Sequence, residues 1–234
     1  MDHVIVHAAE TAHARNVGAL FHTDAVQAFG KIAIDARAIP FDVLTISGHK
    51  IGAPKGIGAV YIRRGTVLEP LFHGGTQDRG RRPGTENVAA AVGLARAAEL
   101  AVAEREQEVE HLTRLRDRLE VAIIARVPDV MVHGRMAPGR APHILNVSVP
   151  GTDSESMLMA LDLRGVACSA GSACQSGSIS PSHVLSAIGV PPDLASAAIR
   201  MSLGALSTEA AIDRAAEVFG VVVSKTRGMA AAGD

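Results

Sequence analysis

The chain has no tryptophan, one tyrosine and five phenylalanines among 234 residues. So thin an aromatic content argues against a base-stacking surface for single-stranded nucleic acid. Charge of one sign is missing too: 23 basic residues stand against 24 acidic ones, a formal net charge of −1. Nothing in that balance draws the chain to a polyanion or an anionic membrane. No apolar run reaches the roughly 18 residues of a membrane span. The opening stretch MDHVIVHAAETAH lacks the basic flank and long apolar core of a secretory signal. The two cysteines, Cys168 and Cys174, form neither a C-x-x-C pair nor a disulfide framework. The expectation is a soluble protein of a reducing, cytoplasmic compartment, with no nucleic-acid and no membrane partner.

The length allows one large domain or two small ones. Residues 8–16 have helical character, with Gly18 as the stop. GALFHT reads as a short buried strand ending near Asp24, FDVLTIS as a second and IGAVYI as a third. Short apolar strands alternating with helical stretches indicate an α/β architecture. Residues 85–127 contain no proline, and Val109, Leu112, Leu115, Leu119 and Ile123 recur at helical spacing. The charged run EREQEVE is the solvated face of that stretch. Pro128 ends it. HILNVSV follows as a strand, and Thr152 with Glu155 makes a capping box opening a helix over residues 153–163. GVACSA reads as a short strand, Ser180-Pro181 as a helix start and Gly189 as its stop. AIRMSL is a last strand and STEAAIDRAAEVFGVVVSK a last helix. The second half thus has an α+β order, and the domain boundary is placed near residue 105.

The chemistry concentrates in TISGHKIGAPKGIGAVY, residues 45–61. Lys50 follows a strand, beside a histidine, on a glycine-rich turn. A phosphate loop of the form G-x-x-x-x-G-K-[ST] is absent, because Gly48 and Gly52 lack the spacing and Ile51 follows the lysine. A dinucleotide G-x-G-x-x-G is absent as well. Two readings remain: a surface lysine on a turn, the commonest fate of the residue, or a Schiff-base lysine for pyridoxal phosphate. The second needs an acid near the pyridine nitrogen to keep the ring an electron sink. Asp24 closes the preceding strand, with Gln27 three residues on, and strand C-termini are where open α/β sheets bind ligands.

FHTDAVQAFGK followed by SGHKIGAPKGIGAVY closely resembles the pyridoxal-phosphate-dependent cysteine desulfurases of the class-V aminotransferase group. The likeness continues through HGGTQDRGRRPGTENVAA, LNVSVPG, CSAGSACQSGSISPSHVLSAIGV and AIRMSLG, in that order over nearly the whole chain. It implies fold type I of the pyridoxal-phosphate transferases. Residues 1–105 would be the C-terminal part of the cofactor-binding large domain, incomplete and built on a mixed, mostly parallel sheet. Residues 106–234 would be the small α+β domain. The resemblance also implies roles. Lys50 would form the Schiff base and then move protons. Asp24 would pair with the pyridinium nitrogen, and Gln27 would bond the phenolic oxygen. Ser47 and His49 would bind the phosphate. Thr85 would reach the phosphate of a neighbouring subunit, which implies a homodimer. Arg200 would clamp the substrate carboxylate, a task that suits a bidentate guanidinium; outside the motif, a surface strand arginine is the plainer reading.

Cys174 lies in SAGSACQSGS, among small polar residues that suggest an exposed, mobile loop. Such a setting suits a nucleophilic thiol. By the resemblance, Cys174 attacks the sulfur of L-cysteine and becomes a persulfide. L-alanine is released, and the sulfur passes to an acceptor such as an iron–sulfur scaffold or a thiolation enzyme. Residues 172–183 resemble the longer form of this loop. Cys168 reads as a packed apolar side chain. The matching family motifs begin late: a phosphate-binding threonine, a ring-stacking histidine and an asparagine near the ring oxygen have no counterpart here. His3 and His7 share a helix face but read as a surface pair, and no metal is expected. The chain alone is therefore expected to hold the cofactor weakly or not at all, and to aggregate through an exposed sheet edge. Two alternatives stay open. One is a selenocysteine lyase or other class-V enzyme. The other is an inactive fragment or non-enzymatic docking subunit.

Overall fold

The computed structural model describes residues 13–137, 139–170 and 182–230. It divides into two compact units between Gln107 and Glu108.

In the first unit, residues 13–16 are helical and Gly18, at φ 70°, ends the turn. β1 (His22–Asp24) pairs in parallel with β2 (Val43–Ser47), and β2 pairs antiparallel with β3 (Gly58–Ile62). The order is β1-β2-β3, so the sheet is mixed. Asp42 locks the first pair, because its Oδ2 accepts the Phe21 N–H at 2.8 Å. Arg63 then clamps the connection by donating to the carbonyls of Phe41 and Ala36. Ala25, Ala28, Phe41 and Leu44 are buried beneath the sheet, a small core. The segment 77–80 is a kinked turn rather than continuous helix: Asp78 and Arg79 sit at φ 49° and 59°. α1 (Val88–Ala103) opens on Asn87, whose side chain accepts the Ala90 N–H at 3.1 Å.

The proline-free stretch is two helices, not one. α1 ends at Ala103, the cap Glu104 bonds back to Leu100, and α2 (Arg105–Arg126) begins immediately. The predicted apolar spacing holds on α2: Leu112, Leu115, Leu119 and Ile123 are fully buried, while Val109 is only half-buried. Burial of each such side chain stabilises the fold by about 1.5–3 kcal/mol.

The second unit is an antiparallel sheet in the order β4-β5-β6, formed by β4 (Met131–Val132), β5 (Ile144–Ser148) and β6 (Ala198–Ser202). Leu145, Val147, Ile199 and Met201 alternate onto one face. That face joins α2, α3 (Ser154–Asp162) and α6 (Glu209–Ala230) in a large core containing Met157, Leu161, Phe219 and Val222. Two short helices, α4 (His183–Ala187) and α5 (Pro192–Ser196), contribute Leu185 and Ala195 to a smaller cluster with Ala198 on the neighbouring positions of β6. Glu120 of α2 is buried between Arg135, at 2.9 Å, and Arg140, at 2.8 Å, which ties the segment after β4 to the helix.

Two local expectations are corrected, and a third falls on residues outside the described ones. Thr152 is not the cap of α3: its hydroxyl donates to Val149 O, and Asp153 takes the Ser156 N–H at 2.8 Å instead. An aspartate in extended backbone does this as well as a threonine, so the motif slid by one residue. GVACSA forms no strand; it supplies a single bridge, Ser169 to Arg200. α4 starts at His183 with Ser182 before it, while Ser180 and Pro181 lie outside the described residues.

Candidate functional site

β1 and β2 run parallel, with Asp24 opposite Thr45 and Ala25 N donating to Thr45 O at 2.9 Å. Their C-terminal ends therefore share one edge of the sheet. Adjacent strands stand about 4.8 Å apart, so whatever follows Asp24 and whatever follows Ser47 are neighbours. Ala25 and Ala28 turn inward to the core and leave Asp24 and Gln27 exposed at that edge. The Asp24 carboxylate braces its own turn, with Oδ1 accepting the Val26 N–H at 2.9 Å.

Beyond β2 the chain makes one 3₁₀ turn, Gly48–Lys50. Three backbone bonds fasten it: Gly48 N to Ile57 O, and Ile51 N and Ala53 N to Gly48 O, all between 2.9 and 3.0 Å. Gly48 is buried, and a Cβ there would sit 2.9 Å from Ile57 O and 3.0 Å from Ala53 Cβ. Only glycine lets the turn seat itself against β3. The result holds His49 and Lys50 in solvent at the sheet edge. Ser47 Oγ and His49 Nδ1 share a hydrogen bond of 2.8 Å. Thr85 is exposed in the segment before α1.

Asp24, Gln27, Ser47, His49 and Lys50 are thus brought to one edge of one sheet. Arg200 stands on β6, in the second unit. Its backbone bonds Ser169 in both directions, at 3.0 and 2.6 Å, and Asn146 lies opposite it on β5. Sequence reasoning passed over Asn146; a lone amide inside the apolar run ILNVSV was the available sign. Cys174 lies outside the described residues, as do His3 and His7. Cys168 packs against the large core, and burial raises its thiol to about 11, which keeps it neutral and unreactive. No group of three His, Cys, Asp or Glu side chains able to hold a metal occurs among the described residues. No helix there is long and apolar enough to cross a membrane.

The donor set at the sheet edge fits pyridoxal phosphate. An amine stands at one strand end, a carboxylate at the next, and a hydroxyl–imidazole pair flanks the amine. The filled space at Gly48 keeps that geometry in place.

Comparison with known proteins reaches the same chemistry. The family model for aminotransferase class-V matches residues 4–215. A cysteine desulfurase of Nostoc sp. is 49% identical over 212 residues, covering 91% of this chain and 53% of that protein. A cysteine desulfurase IscS of Dictyoglomus turgidum is 45% identical, over 88% of this chain and 52% of its own length. Among solved structures, a NifS-like protein from Rickettsia africae superposes with a TM-score of 0.83 at 31% identity, over 93% of this chain and 57% of that one. The chain spans about half the length of the curated relatives it matches, and its mixed α/β fold is that of the corresponding part of the NifS-like structures.

Proposed function

The chain belongs to the class-V aminotransferase family, and we propose that it carries the cysteine desulfurase activity named for its relatives, taking sulfur from L-cysteine and leaving L-alanine. The observation that carries this reading is the shared sheet edge: Lys50 on its fastened turn after β2, and Asp24 at the end of the parallel neighbour β1. Pyridoxal phosphate, the cofactor of this family, supplies an electrophilic aldehyde and an electron-withdrawing ring when bound.

Each residue then has its own task. Lys50 would hold the cofactor by its aldehyde and would move the proton at the substrate's α-carbon. Asp24 keeps the ring nitrogen protonated by placing a negative charge beside it. Gln27, exposed beside Asp24, bonds the phenolic oxygen. With Ser47 as the donor to His49 Nδ1, the imidazole proton lies on Nε2, where it would serve a phosphate oxygen. Thr85 reaches the phosphate bound by a second copy, so the working form is a homodimer. Arg200 grips the substrate carboxylate with two parallel N–H bonds. Cys174 is the nucleophile: its thiolate attacks the substrate sulfur, the carbon–sulfur bond breaks with its electron pair left on the β-carbon, which takes a proton on the way to L-alanine, and the persulfide passes its outer sulfur to an acceptor such as an iron–sulfur scaffold. In this reading residues 1–105 belong to the cofactor-binding domain, residues 106–234 form the small domain that carries the cysteine loop, and the protein works in the cytoplasm.

The test is a visible absorption spectrum of the purified chain with added pyridoxal phosphate, beside Lys50→Ala. A cofactor band present in the parent and lost in the variant supports the reading, and alanine release from L-cysteine should then stop in Cys174→Ala with the band retained. The same band retained in Lys50→Ala would overturn the assignment of Lys50, and no band in either protein would mean that the chain alone does not hold the cofactor.

A further inference from the structure

Two polar atoms in the second unit are buried without a hydrogen-bond partner, on residues that face each other across the sheet. They are Arg200 Nε, a donor, and Asn146 Oδ1, an acceptor. Asn146 and Arg200 are direct partners across β5 and β6. Arg200 directs its backbone N–H and C=O away from β5, to Ser169, and Asn146 directs its C=O to His133 N at 2.9 Å. The two therefore form a non-hydrogen-bonded pair of the antiparallel ladder, the kind in which opposite side chains come closest. Both lie on the face opposite the one carrying Leu145, Val147, Ile199 and Met201 into the large core. Arg200 as a whole is only half-buried, while its Nε is sealed from solvent.

A buried donor and a buried acceptor left open on facing residues are costly unless another state of the protein joins them. A guanidinium that grips a carboxylate with its two terminal nitrogens has Nε to spare, and a bond from Nε fixes the plane of the fork. We propose that Asn146 is the positioning residue of Arg200: its Oδ1 accepts the Nε–H when the terminal nitrogens hold the α-carboxylate of the amino-acid substrate. This deepens the reading of Arg200 as the carboxylate clamp and rests on it. Asn146 touches no reacting atom; it acts by holding the fork in the plane that a bidentate pair requires.

The experiment follows the Arg200 Nε–H by nitrogen-15 NMR in the full chain with pyridoxal phosphate, identified by its loss in Arg200→Lys. The probes are L-alanine and ethylamine, which has the same amine and no carboxylate. L-Alanine should slow exchange of the Nε–H with water, and ethylamine should leave it unchanged. Asn146→Leu, similar in size and without an acceptor, should abolish the slowing and weaken L-alanine binding about tenfold, with ethylamine binding unaltered. Asn146→Asp, which keeps an acceptor in place, should keep the Nε–H protected. Unaltered exchange when L-alanine binds the parent overturns the proposal, as does parent-like L-alanine affinity in Asn146→Leu; both leave the clamp itself standing. Equal binding of L-alanine and ethylamine by the parent removes the clamp, and the positioning role with it. Should Asn146→Leu fail to fold, the parent titration and Asn146→Asp still decide.

Discussion

At the scale of single residues, the position of Lys50 depends on an atom that is absent. Gly48 has no Cβ, and one placed there meets a backbone carbonyl oxygen, Ile57 O, that β3 holds in place. Gly48→Ala should therefore force the turn away from β3, at a cost of about 1–3 kcal/mol as in other overpacked sites. Urea unfolding should show the loss of stability, and the cofactor band that depends on Lys50 should weaken with it. A variant with unchanged unfolding midpoint and unchanged band would show that the turn has slack. The positions of Lys50 and Asp24 at one sheet edge were readable from the sequence, because Asp24 ends one short apolar strand and Lys50 lies on the turn just past another. The pairing of Asn146 with Arg200 was not: 54 residues separate them in sequence, and only the register of β5 on β6 sets them opposite each other.

At the scale of elements, the connection between β4 and β5 rests on a buried histidine. Ser148 Oγ donates to Leu194 O at 2.6 Å, so its proton is committed. His133 Nε2, 2.7 Å away, must then be the donor to Ser148, which sets the imidazole tautomer. Burial lowers the His133 pKa below its ordinary 6.5. The unfolded chain therefore takes up a proton at His133 before the folded one does, and stability must fall as pH drops from about 7 through 6.5, levelling below the folded pKa. Thermal unfolding between pH 7.5 and 5.5 should show that decline, and His133→Gln, which keeps a donor and cannot titrate, should flatten the part due to this residue. An equal slope in the variant would exclude His133 as the cause. Asp129 beside Arg227 and Asp213 beside Arg118 have lowered carboxyl pKa values and act in a separate, more acidic window, losing their contribution only as pH falls through and below about 4. The elements themselves were unevenly readable. The buried stripe of α2 follows from its spacing, because it repeats over four turns. The break at Glu104 does not, since neither proline nor glycine marks it. β4 is two residues long and leaves no pattern at all.

For the whole molecule, the two units have very different means of holding together. The second has a large continuous core, whereas among the described residues the first buries only Ala25, Ala28, Phe41, Val43, Leu44, Ala90, Leu94 and Ala97 as apolar side chains. The first also leaves large apolar side chains in water along the segment after β2: Val60, Tyr61, Val67, Leu71 and Phe72 are all exposed, with Arg82 stacked 4.7 Å over the Phe72 ring. Apolar exposure on that scale marks an association surface, and it lies in the same unit as Thr85, the residue read as reaching a second copy. Sedimentation velocity should then show concentration-dependent self-association. Val67→Asp combined with Leu71→Asp should shift the chain towards monomer, because the side chains at 82% and 86% exposure can carry a charge without disturbing the fold. The melting temperature should stay within about 2 °C of the parent, as surface changes away from packed features usually move stability by less than 0.5 kcal/mol. A parent that stays monomeric at every concentration, with those side chains still in water, would remove the dimer from the proposed function and leave Thr85 without a task.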